Sequence, residues 1–190
     1  CLRLPEFGPL QKELEKPHSL IDKLMLDIFA RRIEESKPDL VAFTIPFPGN
    51  LYSGLRCAQW IRINFPSTKI AMGGGYVNTE LRSLSDPAIF NYTDYLLYDD
   101  GELPLFRLLT GGELIRTLYR NDEGEIVRVN FDSKENVPFA DTGTPSYDGL
   151  LQNNYLNLIE LTNPMHALWS NGRWNKMILA HGCYWGKCAF

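Results

Sequence analysis

Asp39-Leu40-Val41-Ala42-Phe43-Thr44-Ile45 is the stretch that decides the fold class. It is a short, continuous apolar run, of the kind that is buried on both faces in a parallel sheet. Before it, residues 19–37 carry apolar side chains at helical spacing, with Ser19 as the expected N-cap and Pro38 as the stop. After it, a second apolar helical stripe begins, with Asn50 as the expected cap. A helix, a buried strand and a second helix are therefore predicted to follow one another.

The same unit repeats along the chain. Two further strands are each followed by a glycine-containing loop and a helix: Thr68–Met72 with Gly73–Gly75 and the helix Asn78–Asn91, interrupted near Pro87, and Tyr92–Tyr98 with Asp99–Gly101 and the helix Glu102–Thr110. Strands that alternate with helices predict βαβ units, right-handed crossovers and a parallel sheet covered on both faces. The predicted fold class is therefore α/β.

The pattern changes after Gly112. Ile115–Tyr119 and Ile126–Val129 are predicted to form a hairpin. Residues 131–147 lack a period and are predicted to be a linker, whereas Lys176–Ala180 is again a buried-strand run. We place the domain boundary near residue 131, with a first domain at 1–130 and a second region at 131–190.

Composition narrows the class of protein. At 190 residues, with 44% hydrophobic and 22% charged residues, the chain has the composition of a globular domain with additional material. A net charge of −4 lacks the basic footprint of nucleic-acid binding. No apolar run approaches the roughly 18 residues of a membrane span. Four unevenly spaced cysteines do not form the disulfide framework of a small secreted protein, so a cytoplasmic location is expected.

Cys183 and Cys188 are the residues most indicative of chemistry. They lie in a glycine-rich, aromatic-rich loop directly after the strand run at 176–180. Loops that leave the ends of buried parallel strands are where α/β barrels build their sites, and two nearby thiolates can share one metal. Because a metal site needs three or four ligands, these two do not complete one. Unpaired thiols, or half of a structural zinc site, stay open as alternatives.

The run Ile178–Phe190 resembles the opening of a radical S-adenosylmethionine (SAM) domain. In that family a strand of a partial TIM-type barrel leads into three cysteines, C-x-x-x-C-x-x-C, that bind a [4Fe–4S] cluster and leave one iron open for SAM. Cys183 and Cys188 match the first two, with the interval one residue longer, as in some members that carry an N-terminal cobalamin-binding domain. The resemblance implies a third cysteine immediately after Phe190. The chain by itself is therefore expected to hold no complete cluster and to be inactive.

The first domain resembles the cobalamin-binding domains of the family that includes methionine synthase. These carry a Ser-x-Leu element at a strand end and a Gly-Gly pair at the end of the next strand. Here Thr44-Ile45-Pro46 stands in the first place, and Gly73-Gly74, followed by Gly75, in the second. A hydroxyl at the strand end would bond the nucleotide tail of the cofactor, and glycines would let backbone approach it. Thr44 keeps the hydroxyl, whereas Pro46 departs from leucine.

Asp99-Asp100-Gly101-Glu102 resembles the glycine–glutamate turn that follows the next strand in these domains. The same residues also fit an ordinary helix start, with Asp100 as the cap and Glu102 favoured by the helix dipole. The Asp-x-His-x-x-Gly motif, which supplies a cobalt ligand in some of these domains, does not occur, and His18 lacks its companion residues. Gly73–Gly75 are not part of a P-loop or a G-x-G-x-x-G pattern, so an NTP or dinucleotide site is not predicted.

The resemblance implies a flavodoxin-like, Rossmann-like three-layer domain without its first strand, then a linker and the first strand of a radical SAM barrel. It implies an iron–sulfur oxidoreductase that cleaves SAM reductively and uses cobalamin in chemistry such as methyl transfer to a small molecule or peptide. No catalytic residue is assigned, and no nucleic-acid or membrane partner is expected. Two alternatives stay open: a docking module that kept the fold without the cofactor, and a zinc-binding scaffold.

Overall fold

The structure, a computed structural model, describes residues 7–144 together with 146, 148 and 149. The chain divides into two compact units. The first, Cys1–Val137, contains the β-sheet. The second, Pro138–Ala189, contributes the short 3-10 helix Phe139–Asp141 to the described residues.

Helices and strands alternate through the described part of the first unit. The helices are α1 (Gly8–Leu14), α2 (Leu20–Ser36), α3 (Pro48–Asn64), α4 (Gly75–Thr79) and α5 (Glu102–Thr110), and a 3-10 helix spans Pro87–Asn91. The strands are β1 (Leu40–Thr44), β2 (Lys69–Gly73), β3 (Tyr95–Leu97), β4 (Thr117–Arg120) and β5 (Ile126–Val129). They form one sheet in the order β1-β2-β3-β4-β5.

The sheet is mixed. β1, β2 and β3 are parallel, and β4 and β5 continue the sheet in antiparallel pairing from β3. The α/β class and the hairpin of β4 with β5 are confirmed, and the architecture is compatible with a Rossmann-like fold. The expectation of a purely parallel sheet is wrong, because the hairpin pairs with β3 instead of forming a separate element.

Helix α2 forms where its end signals predict it. The Ser19 hydroxyl accepts a hydrogen bond from the Asp22 amide at 3.1 Å, and the Asp22 carboxylate accepts one from the Ser19 amide at 2.9 Å. This reciprocal capping box satisfies two of the donors that a helix start leaves unpaired. The helix ends at Lys37, which has a left-handed φ of 45° immediately before Pro38. Both predicted ends are confirmed.

Two predicted caps are wrong. Helix α3 begins at Pro48, so its N-cap residue is Phe47 and not Asn50. Proline suits a first helical position because its φ is fixed near the helical value and it has no N–H to satisfy. Helix α5 has Gly101 as its N-cap residue, with no side-chain cap, so Asp100 is not the cap either.

The predicted helix Asn78–Asn91 is wrong as a continuous helix, although its predicted interruption near Pro87 is confirmed. After the single turn of α4, residues 80–86 are not helical, and the chain re-enters a 3-10 helix at Pro87. Asp86 sets this second start, because its carboxylate accepts a hydrogen bond from the Ala88 amide at 2.9 Å. The proline and this cap divide the segment into two short pieces.

The core lies on one face of the sheet. Phe43, Met72, Leu96 and Leu118 are paired across neighbouring strands and belong to the same apolar cluster. Helices α1 and α2 both pack against α3, and the Phe29 ring of α2 lies 6.0 Å from the rings of Phe43 and Trp60. On the opposite face of β1, Ala42 and Thr44 are exposed. For β1 the prediction of burial on both faces is therefore wrong.

Helix α2 is apolar on its outer side as well. The exposed fractions of its outer large apolar residues run from 57% to 77%: Leu20, Ile21, Leu24 and Ile28. Within the described chain, the helices lack the combination of length and apolar composition that crossing a membrane requires.

Candidate functional site

The candidate site lies at the edge where the three parallel strands end. Because β1, β2 and β3 run in the same direction, the loops after them meet at one edge, which is where open α/β sheets bind ligands. The first two loops are joined by backbone: the Ile45 amide donates to the Gly73 carbonyl at 2.7 Å, and the Tyr76 amide donates to the Ile45 carbonyl at 3.0 Å. The first two predicted elements, Thr44–Pro46 and Gly73–Gly75, are thus brought together.

Thr44 and Gly73 lie directly opposite each other in the β1–β2 register. One pair earlier on the same face, Ala42 lies opposite Ala71. Thr44 and Ala42 are exposed, whereas Ala71 is buried. The Thr44 hydroxyl therefore lies on an uncovered strand end whose neighbours on this face are small, and this position fits a ligand that needs a hydrogen bond there.

Gly73 and Gly74, at the end of β2, have a structural role within the chain. Gly74 has a φ of +102°, and a Cβ there would lie 2.9–3.1 Å from the backbone N, O and C atoms of Ile45. A Cβ on Gly73 would lie 3.3 Å from the Leu97 carbonyl oxygen. Glycine allows this close approach of neighbouring backbones. The contacts account for Gly74 without a ligand, whereas the approach at Gly73 is tight but does not by itself demand glycine.

The third predicted element, Asp99–Glu102, is connected to the segment after β2 through Asn78 and Arg82, which the sequence analysis did not assign to the site. Gly101 and Glu102 are exposed at the start of α5. Asp99, two residues before Gly101, donates its backbone amide to Asn78 Oδ1 in α4 and accepts a hydrogen bond from Arg82, which lies in the segment after α4. The sequence offers one weak signal, because aspartate tolerates a left-handed backbone better than most residues, and Asp99 has a φ of +60°. Asn78 carries no comparable signal.

Arg82 and Asp99 form a two-pronged ion pair. The Arg82 guanidinium donates to both carboxylate oxygens of Asp99, at 2.6 and 3.2 Å. The hydrogen bond to Asp99 raises the pKa of Arg82, although partial burial opposes this shift. Arg82 also lies over the rings of Tyr98 and Phe131, at 5.7 and 5.9 Å from their centroids. The guanidinium is therefore fixed on two sides at the site edge.

The predicted metal ligands, Cys183 and Cys188, lie outside the described residues. Within the described range, there is no group of three or more histidine, cysteine or acidic side chains that could hold a metal ion. Cys57, a free cysteine, is buried in α3, and burial raises the pKa of its thiol to about 11. His18 is exposed.

Pro46 and Phe47 complete the rim beside Thr44. Both are exposed, and the Phe47 side chain is 69% accessible to solvent. An exposed phenylalanine next to a ligand edge is a residue that the sequence analysis did not mark, because no periodic pattern includes it. Its ring offers an apolar surface to a ligand at this edge.

No protein-family model, curated protein or solved structure matches the chain.

Proposed function

We propose that the first unit is a cobalamin-binding-type domain of flavodoxin-like architecture, and that the whole protein is a radical SAM iron–sulfur enzyme. The observation that carries the proposal is the pairing of Thr44 with Gly73. The hydroxyl element and the glycine element, assigned together from the family resemblance, end neighbouring strands on the same face of the sheet. A cofactor tail that follows this face could contact both.

The face itself supports an elongated ligand. Ala42, Thr44 and Gly73 have small or no side chains, lie on the same face of β1 and β2 and are at least partly exposed, whereas Ala71 on this face is buried. Small side chains let a flat or extended group approach the strands closely. The Thr44 hydroxyl would then orient the ligand by a hydrogen bond, and the apolar Phe47 ring would cover part of it.

The radical SAM part of the proposal rests on Cys183 and Cys188. A [4Fe–4S] cluster with SAM would supply the one-electron chemistry, as it does in the family that the sequence resembles. This chain would contribute two thiolates and a loop with Gly182 and Gly186. The substrate class that we propose is a small molecule or a peptide.

The proposal is tested on the full-length gene product, reconstituted anaerobically with iron and sulfide. The expected absorption spectrum shows a broad iron–sulfur band that is lost on Cys183→Ala or Cys188→Ala. Cys57→Ala is the matched control and should keep the band, because the Cys57 thiol is buried in α3. A colourless protein with bound zinc would overturn the iron–sulfur assignment.

Cobalamin binding is tested by titration with hydroxocobalamin. The cobalamin bands should shift on binding, and Thr44→Val, which removes the hydroxyl at nearly constant shape, should weaken binding by about tenfold, the effect of one lost hydrogen bond. The control is Thr110→Val. Thr110 is the last residue of α5, away from the ligand edge, and its hydroxyl donates to the Phe106 carbonyl at 2.8 Å. This variant should leave the affinity unchanged.

A second candidate function is a docking module that keeps the fold without the cofactor. The observation that favours it is the packing of Gly74 against Ile45, which accounts for the glycine without a ligand. An iron–sulfur band without any cobalamin shift would support this candidate.

A further inference from the structure

Asp99 has an unusual backbone conformation for its place in the fold. It lies two residues after β3 and has a φ of +60°, a left-handed value that costs free energy for residues other than glycine, although less for aspartate than for most. Such conformations persist only where surrounding contacts impose them, and they are concentrated at functional sites. Asp99 lies at the edge where the loops after the parallel strands meet.

The contacts that impose this conformation come from the segment after β2. The Asn78 side chain pairs with the Asp99 backbone in both directions: its Oδ1 accepts from the Asp99 amide at 2.7 Å, and its Nδ2 donates to the Asp99 carbonyl at 3.3 Å. The Arg82 guanidinium donates two hydrogen bonds to the Asp99 carboxylate. Backbone and side chain of Asp99 are therefore both held by residues that follow the glycine loop.

The hairpin holds the same turn from the other side. Arg116 is buried immediately before β4 and donates to the Asp100 carbonyl at 3.5 Å. The Nε atom of Arg116 lies 3.8 Å from Asp99 Oδ2. This nitrogen is buried and has no hydrogen-bond partner among the described residues. The Arg116 guanidinium therefore lies on the buried side of the Asp99 carboxylate, whereas the Arg82 guanidinium contacts this carboxylate from the exposed side.

We infer that Asn78 and Arg82 are positioning residues: they hold Asp99 in its left-handed conformation and thereby tie the loop after β3 to the loop after β2. The Asp99–Glu102 turn is then a fixed part of the ligand edge. This inference rests on the proposed cobalamin function for its ligand. Preorganised contacts raise affinity because the ordering of the loop does not have to occur on binding.

The opposite end of the same strands supplies a matched control. There Arg62 of α3 donates to Asp94 at 3.0 Å, in an ion pair that links the end of α3 to the segment before β3. Asp94 accepts a further hydrogen bond from the Ile70 amide at 2.8 Å. Arg62→Gln and Arg82→Gln each remove one positive charge from an arginine–aspartate pair. The Arg62 pair lies away from the ligand edge, whereas the Arg82 pair lies at it.

The test compares Arg82→Gln, Asn78→Ala and Arg62→Gln in the full-length protein, by hydroxocobalamin titration and by hydrogen exchange of the backbone amides. Arg82→Gln and Asn78→Ala should each weaken cobalamin binding about tenfold or more and speed exchange at residues 99–102. Arg62→Gln should do neither, although it also removes an ion pair.

The outcomes separate this inference from the proposed function. Tight binding by the wild type and equal affinity in all three variants would overturn the positioning role and leave the cobalamin function standing. An equal loss of cobalamin affinity in all three variants would also overturn the positioning role, because the loss would then reflect a general loss of protein stability. A wild-type protein that does not shift the cobalamin spectrum overturns the proposed function, and the inference with it.

Discussion

Arg56 and Asp22 form a buried ion pair that joins α3 to the start of α2, with Arg56 Nε 3.8 Å from Asp22 Oδ2. The same guanidinium donates to three backbone carbonyls at the end of α1, those of Glu13, Leu14 and Lys16, at 2.6–3.0 Å. The last carbonyls of a helix have no intrahelical partner, so Arg56 supplies the donors that α1 lacks. One side chain thereby connects three helices.

Removing this side chain should destabilise the first unit strongly. Arg56→Ala leaves the buried Asp22 carboxylate without its counter-ion and removes one donor from each of three carbonyls, and loss of one partner of a buried pair costs about 3–5 kcal/mol. Urea unfolding followed by circular dichroism measures the difference. Arg32→Ala is the control, because the Arg32–Glu35 pair is exposed and is expected to contribute less than about 1 kcal/mol. Equal effects of the two variants would contradict the connecting role of Arg56.

The Asp22 carboxyl should make stability depend on acid pH. Burial of this carboxyl favours its neutral form, but hydrogen bonds from Ser19, the charge of Arg56 and a hydrogen bond from Tyr52 outweigh burial and lower its pKa below the ordinary 3.8. A lowered folded-state pKa means that the stabilisation is present above the unfolded pKa of about 3.9 and is lost as the pH falls through the folded value.

Asp22→Asn tests this dependence. The difference in the free energy of unfolding between wild type and variant should be largest near neutral pH and should shrink below about pH 4, as the wild-type carboxylate becomes protonated. Urea unfolding at a series of pH values from 7 down to the acid limit of the folded protein measures it. A difference that stays constant over the whole series would show that the charge of Asp22 has no such role.

Local signals in the sequence predicted the elements whose ends are set locally. Ser19 and Pro38 defined α2 because a cap and a stop act within a few residues of the helix that they bound. Helix α1 was not predicted, since it spans seven residues and is held by Arg56, which lies 42 positions away from Leu14. Isolated helices of this length are not stable alone, so tertiary contacts decide whether they form.

For the candidate site too, some contacts could be predicted from the sequence and others could not. The juxtaposition of Thr44 with Gly73 could be predicted, because parallel strands end at a common edge. The contact of Asn78 with Asp99 could not, because it joins side chain to backbone across two loops whose course depends on where α4 ends. The pairing of Leu96 with Leu118 was missed for a related reason: a hairpin pattern does not reveal which strand it joins.

Cys57 should be chemically inert in the folded protein. At a pKa of about 11, only about one thiol in a thousand is thiolate at pH 8, and the thiolate is the reacting species. In a variant with serine at Cys1, Cys183 and Cys188, labelling by a disulfide reagent should therefore be at least about a hundredfold slower in buffer than in denaturing urea. Rapid labelling of the folded variant would show that the interior around α3 opens readily.

Gly74→Ala distinguishes a structural glycine from one reserved for a ligand. The added Cβ would lie 2.9–3.1 Å from Ile45 backbone atoms and would occupy a φ of +102°, so the ligand-free protein should lose about 2–4 kcal/mol of stability. Gly101→Ala is the matched control, because its Cβ would meet nothing within 4 Å and its φ is −69°. That variant should be neutral or slightly more stable, since alanine restricts the unfolded chain.

Thermal and urea unfolding of both variants, without any added ligand, measures these differences. If Gly74→Ala instead keeps full stability and only cobalamin binding is lost, the backbone contact with Ile45 is not what requires glycine. The close approach of the cofactor would then be its reason. The two readouts together thus decide whether the glycine pair supports the sheet edge, the ligand or both.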